Sequence, residues 1–273
     1  MDIVERINAE KTLVFTVTPG RSGTKYLATL LAIPGVAAHH EPSPDFVSVL
    51  RRAQQNPEIA FAFWRDAKLP YIASLDAPVY VETSHLFCKG FLEPAILMGL
   101  TPRLIFLRRP PSEVAWSLVE RDTVPVRSPY GCLYLLDPRD PNVMPLPGWE
   151  RMTDYQLCFW YALEIERRQL KYADMAMRLG LATFEVLQRD LGKPEVFGAM
   201  LQALSIQSHA IAISDHAAIS GQRHNRNPRS LPRPDNLEEQ ESEVWRAVLA
   251  YEPLLPSLLE EKYEIAEEDA AAA

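Results

Sequence analysis

The sequence predicts an α/β protein with a central parallel sheet flanked by helices. Two patterns carry that prediction. Short apolar, β-branched runs recur along the chain, and stretches with helical periodicity alternate with them. Gly and Pro punctuate the changeovers. The length agrees, since 273 residues with 47% hydrophobic and 23% charged side chains can bury a sizeable core.

The first strand reads from Thr12 to Thr18, a run suited to burial on both faces. Pro19 to Gly23 breaks it. Tyr26, Leu27, Leu30 and Leu31 then mark one face of a helix that ends near Pro34-Gly35. Residues 78–83 read as a second strand and 104–107 as a third, stopped by Pro110-Pro111. A helix opens at Ser112-Glu113, with Ser112 as its N-cap, and runs to about Glu120. Thr153 and Gln156 have capping-box spacing before a long helix that ends near Gly180. Residues 182–187 give a fourth strand and 194–204 another helix. Ligands of such sheets bind beyond the carboxyl ends of the strands, where Pro19–Lys25 and Arg108–Pro111 fall. Residues 123–150 are proline-rich with little periodicity and read as a long lid-like loop.

Charge divides the chain. The net charge is −8, but residues 234–273 hold 12 acids and 2 bases, which leaves 26 bases and 24 acids in residues 1–233. Residues 1–233 are therefore expected to form one domain. Residues 234–273 are expected to be an acidic helical segment packed on it, with a frayed alanine end. The acidic balance argues against a broad nucleic-acid surface but not against a small charged nucleotide. No apolar run reaches the roughly 18 residues of a membrane span. The N-terminus is acidic from Asp2, unlike a signal peptide. Cys88, Cys132 and Cys158 lie too far apart for a Cys-built zinc site and suit a reducing, cytoplasmic compartment.

The segment Thr18-Pro19-Gly20-Arg21-Ser22-Gly23-Thr24-Lys25 joins a buried strand to a helix. Its glycines let backbone N–H groups approach an anion, and Arg21, Ser22, Thr24 and Lys25 add donors. It is a phosphate-binding loop by chemistry. It is not a Walker A loop, because two residues rather than four separate Gly20 from Gly23 and no hydroxyl residue follows Lys25.

Here the chain resembles the sulfotransferase superfamily, which uses 3′-phosphoadenosine 5′-phosphosulfate (PAPS). That family's first signature follows a strand as K/R-S-G-T-x-x-L, matched by Arg21-Ser22-Gly23-Thr24-Lys25-Tyr26-Leu27. The resemblance implies a P-loop-NTPase-like architecture. It places Arg21 against the 5′-phosphosulfate and the loop from Gly20 through Thr24, with Lys25 as an additional base, around the 5′-phosphate. The second signature is an Arg, a Pro two residues on and a Ser eight residues on, matched by Arg109, Pro111 and Ser117. By resemblance, Arg109 and Ser117 bind the 3′-phosphate, with Arg108 as the register alternative. A basic stretch from Gly221 to Arg233, including Arg223 and Arg226, corresponds in position and charge to a loop that closes over that phosphate. Phe184-Glu185-Val186-Leu187 is similar to a family strand that reads F-E-D-L. The likeness covers about residues 12–233.

Sulfuryl transfer needs a base for the acceptor's proton and neutralisation of the leaving phosphate; it requires no metal. Two bases fit. Glu41 in His39-His40-Glu41-Pro42 stands where similar bacterial enzymes carry a glutamate, with His40 as the residue to orient the base or replace it. His85 stands where cytosolic members carry K-T-H-L, but Thr83 and Ser84 precede it and no Lys does. Proton donation to the leaving group thus has no residue. Tyr130, Trp149 and Trp160 are candidates to line an acceptor pocket. The expected acceptor is a hydroxyl, or secondarily an amine, of a small molecule or sugar, and the nucleotide product is adenosine 3′,5′-bisphosphate (PAP). The competing readings are a kinase-like phosphoryl-transfer enzyme and a non-catalytic nucleotide-binding scaffold.

Overall fold

The computed structural model describes residues 2–207 and 231–271. The chain divides into two compact units, Met1–Arg108 with Gln169–Arg226 and Arg109–Arg168 with Asn227–Ala273.

The first unit carries the sheet. Its strands are β1 (Thr12–Val17), β2 (Val36–His39), β3 (Val79–Glu82), β4 (Arg103–Arg108) and β5 (Thr183–Leu187). They form one sheet among the described residues, in the order β2-β3-β1-β4-β5, with every adjacent pair parallel. The α/β class read from the sequence is the one observed. From β1 the chain turns toward β2 on one side, whereas β4 continues to β5 on the other. The strand order therefore reverses between β1 and β4, and a crevice is expected beyond their carboxyl ends.

Alternation along the strands feeds two apolar layers. Val14, Val81, Ile105, Leu107 and Val186 pack with Leu27, Leu30 and Leu31 of the helix Thr24–Leu30 and its end, and with Phe197, Met200 and Leu201 of the helix Pro194–Ala203. The second layer is aromatic. Phe15 stacks on Phe87 with ring centroids 4.3 Å apart and meets Trp64 and Tyr80 edge-on. Trp64 satisfies its indole N–H on the Phe91 carbonyl at 2.9 Å.

Some elements escape the sequence pattern. β2 has only four residues, Val-Ala-Ala-His, at a sheet edge and half buried, so it shows no apolar run. Residues between it and β3 form the helices Val47–Gln55, Pro57–Phe63 and Leu69–Ser74 around one π-helical turn, Trp64–Lys68. These helices are short, so their periodicity is weak.

In the second unit the helix expected from Ser112 starts at Pro111, with Pro110 at the cap position and no side-chain cap. Proline's fixed φ and missing N–H suit that first helical position better than Ser112 suits capping. The proline-rich 123–150 segment is not a structureless loop. It contains the helix Pro129–Tyr134, and Leu135, Leu136, Met144 and Leu146 are buried. Ser128 caps that helix by accepting from Gly131 N, a bond that the lack of a side chain at Gly131 leaves room for. The long helix Asp154–Leu179 begins with the expected capping box: Gln156 Oε1 accepts from Thr153 N at 2.9 Å, and Thr153 Oγ1 accepts from Gln156 N at 3.2 Å. The acidic C-terminal segment forms the helices Leu237–Leu249 and Leu255–Ala271. Among the described residues, no helix is long and apolar enough to cross a membrane.

Candidate functional site

The loop after β1 is built on left-handed backbone. Gly20, Arg21 and Gly23 have φ of 81°, 57° and 87°. Glycine adopts such angles freely, whereas Arg21 does so at a cost of roughly 1–3 kcal/mol, which a surrounding structure must hold in place. Two contacts do so. A Cβ on Gly20 would stand 3.0 Å from His85 Cγ, and one on Gly23 would stand 3.3 Å from Gln188 and Leu191. The loop is therefore seated between the residues after β3 and those after β5. Ser22 is buried and donates its hydroxyl to the Gly20 carbonyl at 3.0 Å, closing the turn from within. Thr24 opens the following helix and is nearly buried, while Lys25 is exposed. At the loop's root, Thr18 is buried and its Oγ1 has no hydrogen-bond partner.

Sheet register brings Glu41 and His85 together. β2 and β3 run parallel with His39 opposite Glu82, and the ladder continues as Thr83 N donates to the His39 carbonyl at 2.9 Å. Two residues past His39 stands Glu41, and three past Glu82 stands His85. Their side chains meet, with Glu41 Oε1 3.3 Å from His85 Nε2. The approach is close but lacks hydrogen-bond alignment. Glu41 is itself left-handed, with φ 52°. His40 anchors the same turn through Nδ1 on the Thr83 carbonyl at 2.9 Å.

On the other edge of its ring, His85 Nδ1 lies 2.8 Å from Lys89 Nζ. Lys89 is fully buried and its backbone is fixed: its N–H donates to the Leu86 carbonyl at 2.9 Å, and its carbonyl accepts from Gln54 Nε2 at 2.6 Å. Burial, followed by the charges of Lys89, His40 and Arg21, holds the His85 pKa well below the ordinary imidazole range. The ring is neutral near pH 7. Lys89 was not found by motif. The signal was a lysine four residues after the histidine, where the family pattern prompts a search before it.

Beneath this cluster, Glu82 is fully buried. It accepts from Lys68 Nζ at 3.0 Å and from the Tyr80 hydroxyl at 2.6 Å. Desolvation raises the Glu82 pKa against the pull of Lys68 and Tyr80, and Glu41 adds to the rise. Lys68 ends the π-helical turn and lies 4.6 Å from the Phe46 ring centroid. Across the sheet, Gln169 Nε2 donates to the carbonyls of Val17 (3.0 Å) and Leu107 (3.3 Å), tying together the ends of β1 and β4. Arg108, also fully buried, ends β4 with Nε 2.7 Å from Glu185 of β5.

Arg109 and Ser117 belong to the second unit. Arg109 Nε pairs with Glu113 at 3.0 Å, and its carbonyl accepts from the Tyr263 hydroxyl at 3.1 Å. Ser117 is buried in the helix Pro111–Glu120, two turns on from Arg109. Arg223 and Arg226 lie outside the described residues, while Arg233 stacks 5.9 Å from the Trp116 ring. Of the proposed pocket aromatics, Trp160 is core, with its indole on the Met144 carbonyl at 3.1 Å; Tyr130 is 62% exposed, and Trp149 faces Arg139. Among the described residues, no group of three or more His, Cys, Asp and Glu side chains is placed to hold a metal. The chain matches neither a model of a known protein family nor a curated protein sequence.

Proposed function

We propose that the chain is a PAPS-dependent sulfotransferase acting on a hydroxyl, or secondarily an amine, of a small molecule or sugar. One observation carries the reading. A strained, glycine-bearing, cationic loop lies against a neutral histidine, and that histidine touches a carboxylate on one side and a lysine on the other. Anion cradle and proton-handling groups thus share one place, at the carboxyl ends of adjacent parallel strands.

The residues present fit the nucleotide. Thr18 Oγ1 is a buried hydroxyl with no hydrogen-bond partner, and Arg21, Thr24 and the loop N–H groups would donate to a phosphate, whereas the Ser22 hydroxyl is turned onto the Gly20 carbonyl. When bound, PAPS supplies an activated sulfuryl group on a phosphate leaving group. The loop from Gly20 to Lys25 would hold the 5′ end; Arg109 and Ser117 are the 3′-phosphate residues that the resemblance to the sulfotransferase signatures implies. Arg21 offsets negative charge at the loop. Glu41 or His85 takes the acceptor's proton, and buried Lys89 is a proton donor or fixed positive charge beside them.

A thermal-shift titration tests the reading, because a ligand that binds only the folded state raises its melting temperature. PAP should stabilise the protein with a chelator present, and more than ATP with Mg²⁺ does. Arg109→Ala should weaken PAP far more than AMP. A larger shift from ATP with Mg²⁺ would instead mark a phosphoryl-transfer enzyme. No shift from PAP would refute the sulfotransferase reading, and no shift from either nucleotide would refute nucleotide binding altogether.

A further inference from the structure

We propose that Lys89 holds His85 in the tautomer that carries its proton on Nε2, the ring edge that faces Glu41, so that Glu41 takes the proton in the transfer reaction and His85 does not. The inference rests on the sulfuryl-transfer reading and decides which of that reading's two bases acts.

The argument starts from what each group can donate. A lysine ammonium has three N–H donors and no acceptor. Lys89 Nζ lies 2.8 Å from His85 Nδ1, so Nδ1 must offer its lone pair. A neutral imidazole carries one proton, which must then sit on Nε2. Nε2 is the atom 3.3 Å from Glu41 Oε1. In this tautomer neither ring nitrogen is free to accept a proton: one lone pair is engaged, and the other nitrogen already carries a hydrogen.

Protonating the ring fully is disfavoured by its surroundings. The charged groups that face it are Lys89 from its own loop, Arg21 from the loop after β1, and His40 and Glu41 from the turn after β2. The side chain is only 15% exposed, and burial and the cationic neighbours both oppose a second proton. Glu41 has the complementary properties. It is 23% exposed, it has a second carboxylate oxygen beyond the one facing His85, and its left-handed backbone holds it at the end of β2. The Nε2–H edge of His85 faces one oxygen of that carboxylate at 3.3 Å, leaving the other for the acceptor.

The step then balances. The acceptor O–H yields its proton to Glu41 as the acceptor oxygen bonds to sulfur. The bond from sulfur to the bridging phosphate oxygen breaks, and its electron pair stays on the nucleotide. Glu41 later returns the proton to solvent. Lys89 and His85 are positioning residues in this scheme.

Nitrogen NMR of the full chain labelled with ¹⁵N-histidine reads the tautomer directly and needs no nucleotide. The wild-type His85 spectrum near neutral pH should show an unprotonated Nδ1 and a protonated Nε2. Lys89→Met should lose that pure signature, giving a mixture of tautomers, and should move the ring's titration midpoint up toward the ordinary imidazole range. Lys89→Arg, which keeps the cationic donor, should restore the wild-type pattern. A wild-type ring protonated on Nδ1, or one that titrates as an ordinary imidazole, would overturn the proposal whatever the variants do. So would a Lys89→Met spectrum with an unchanged tautomer. Because PAP binding is measured separately, an expected tautomer without PAP binding would refute the sulfotransferase reading alone, and the converse would refute this assignment alone.

Discussion

Gly20→Ala and Gly35→Ala make a matched pair that isolates the contact between the loop and His85. Both glycines have φ +81°, so both substitutions force alanine into the same left-handed backbone. That cost is about 1–2 kcal/mol at each position. Their surroundings differ. A Cβ at Gly35 meets nothing within 4 Å, whereas one at Gly20 meets His85 Cγ at 3.0 Å, Nδ1 at 3.2 Å and Cβ at 3.3 Å. The ring cannot simply swing away, because Lys89 holds its Nδ1 at 2.8 Å and Glu41 stands across from Nε2. Overpacking at such a site adds about 1–3 kcal/mol. Gly35→Ala should therefore lose about 1–2 kcal/mol, and Gly20→Ala about 2–5 kcal/mol. Urea unfolding with linear extrapolation measures both losses, and calorimetric titration with PAP reads the site. Gly20→Ala should weaken PAP at least tenfold while Gly35→Ala leaves it unchanged. Equal stability losses would show that the His85 contact carries no energy. Unchanged PAP affinity in Gly20→Ala would show that the loop is not the nucleotide site.

Two further outcomes follow from the buried charges. Lys68→Met strands a fully buried Glu82 and should cost about 3–5 kcal/mol, whereas Lys68→Met with Glu82→Gln should cost less, since the uncompensated charge is gone; a double variant no more stable than the single would contradict the pairing. His85 makes stability depend on pH. Its folded pKa lies well below the unfolded value of about 6.5, so between the two the unfolded chain binds a proton that the folded chain does not. Stability should thus be retained above pH 6.5 and fall by up to about 1.4 kcal/mol per pH unit as the pH drops below it. His85→Gln should show a shallower decline over that window, and a slope equal to wild type would remove His85 as the cause.

The parallel sheet was legible because its evidence is local. Thr12–Val17 is apolar or β-branched throughout and almost wholly buried, as suits a strand covered on both faces, and prolines and glycines punctuate the chain near most element ends. The capping box at Thr153 and Gln156 was equally readable, since both partners lie within one turn. Where local rules competed, the reading shifted: Pro111 took the position that opens its helix and displaced Ser112. β2 was lost because an edge strand of four half-buried residues has too little apolar pattern to register.

The candidate site divides along the same line. Spacing within one short segment was enough to single out Gly20 to Lys25 as a candidate anion loop, whereas Glu41 and His85 were singled out as rival bases by the resemblance to sulfotransferases. Their meeting was not in the sequence. Glu41 and His85 are joined only because β2 and β3 pair in parallel with His39 opposite Glu82, and a one-residue slip would part them. Lys89 meets the imidazole by the same route, since its side chain is buried and its backbone is held by a hydrogen bond from Gln54, 35 residues away. The sequence by itself determined the class of fold and which donors the loop after β1 carries, because both rest on neighbours along the chain. Tertiary structure decided which proton-handling groups touch, because register and burial, not proximity in sequence, bring a carboxylate, an imidazole and an ammonium within 3.3 Å of one another in turn.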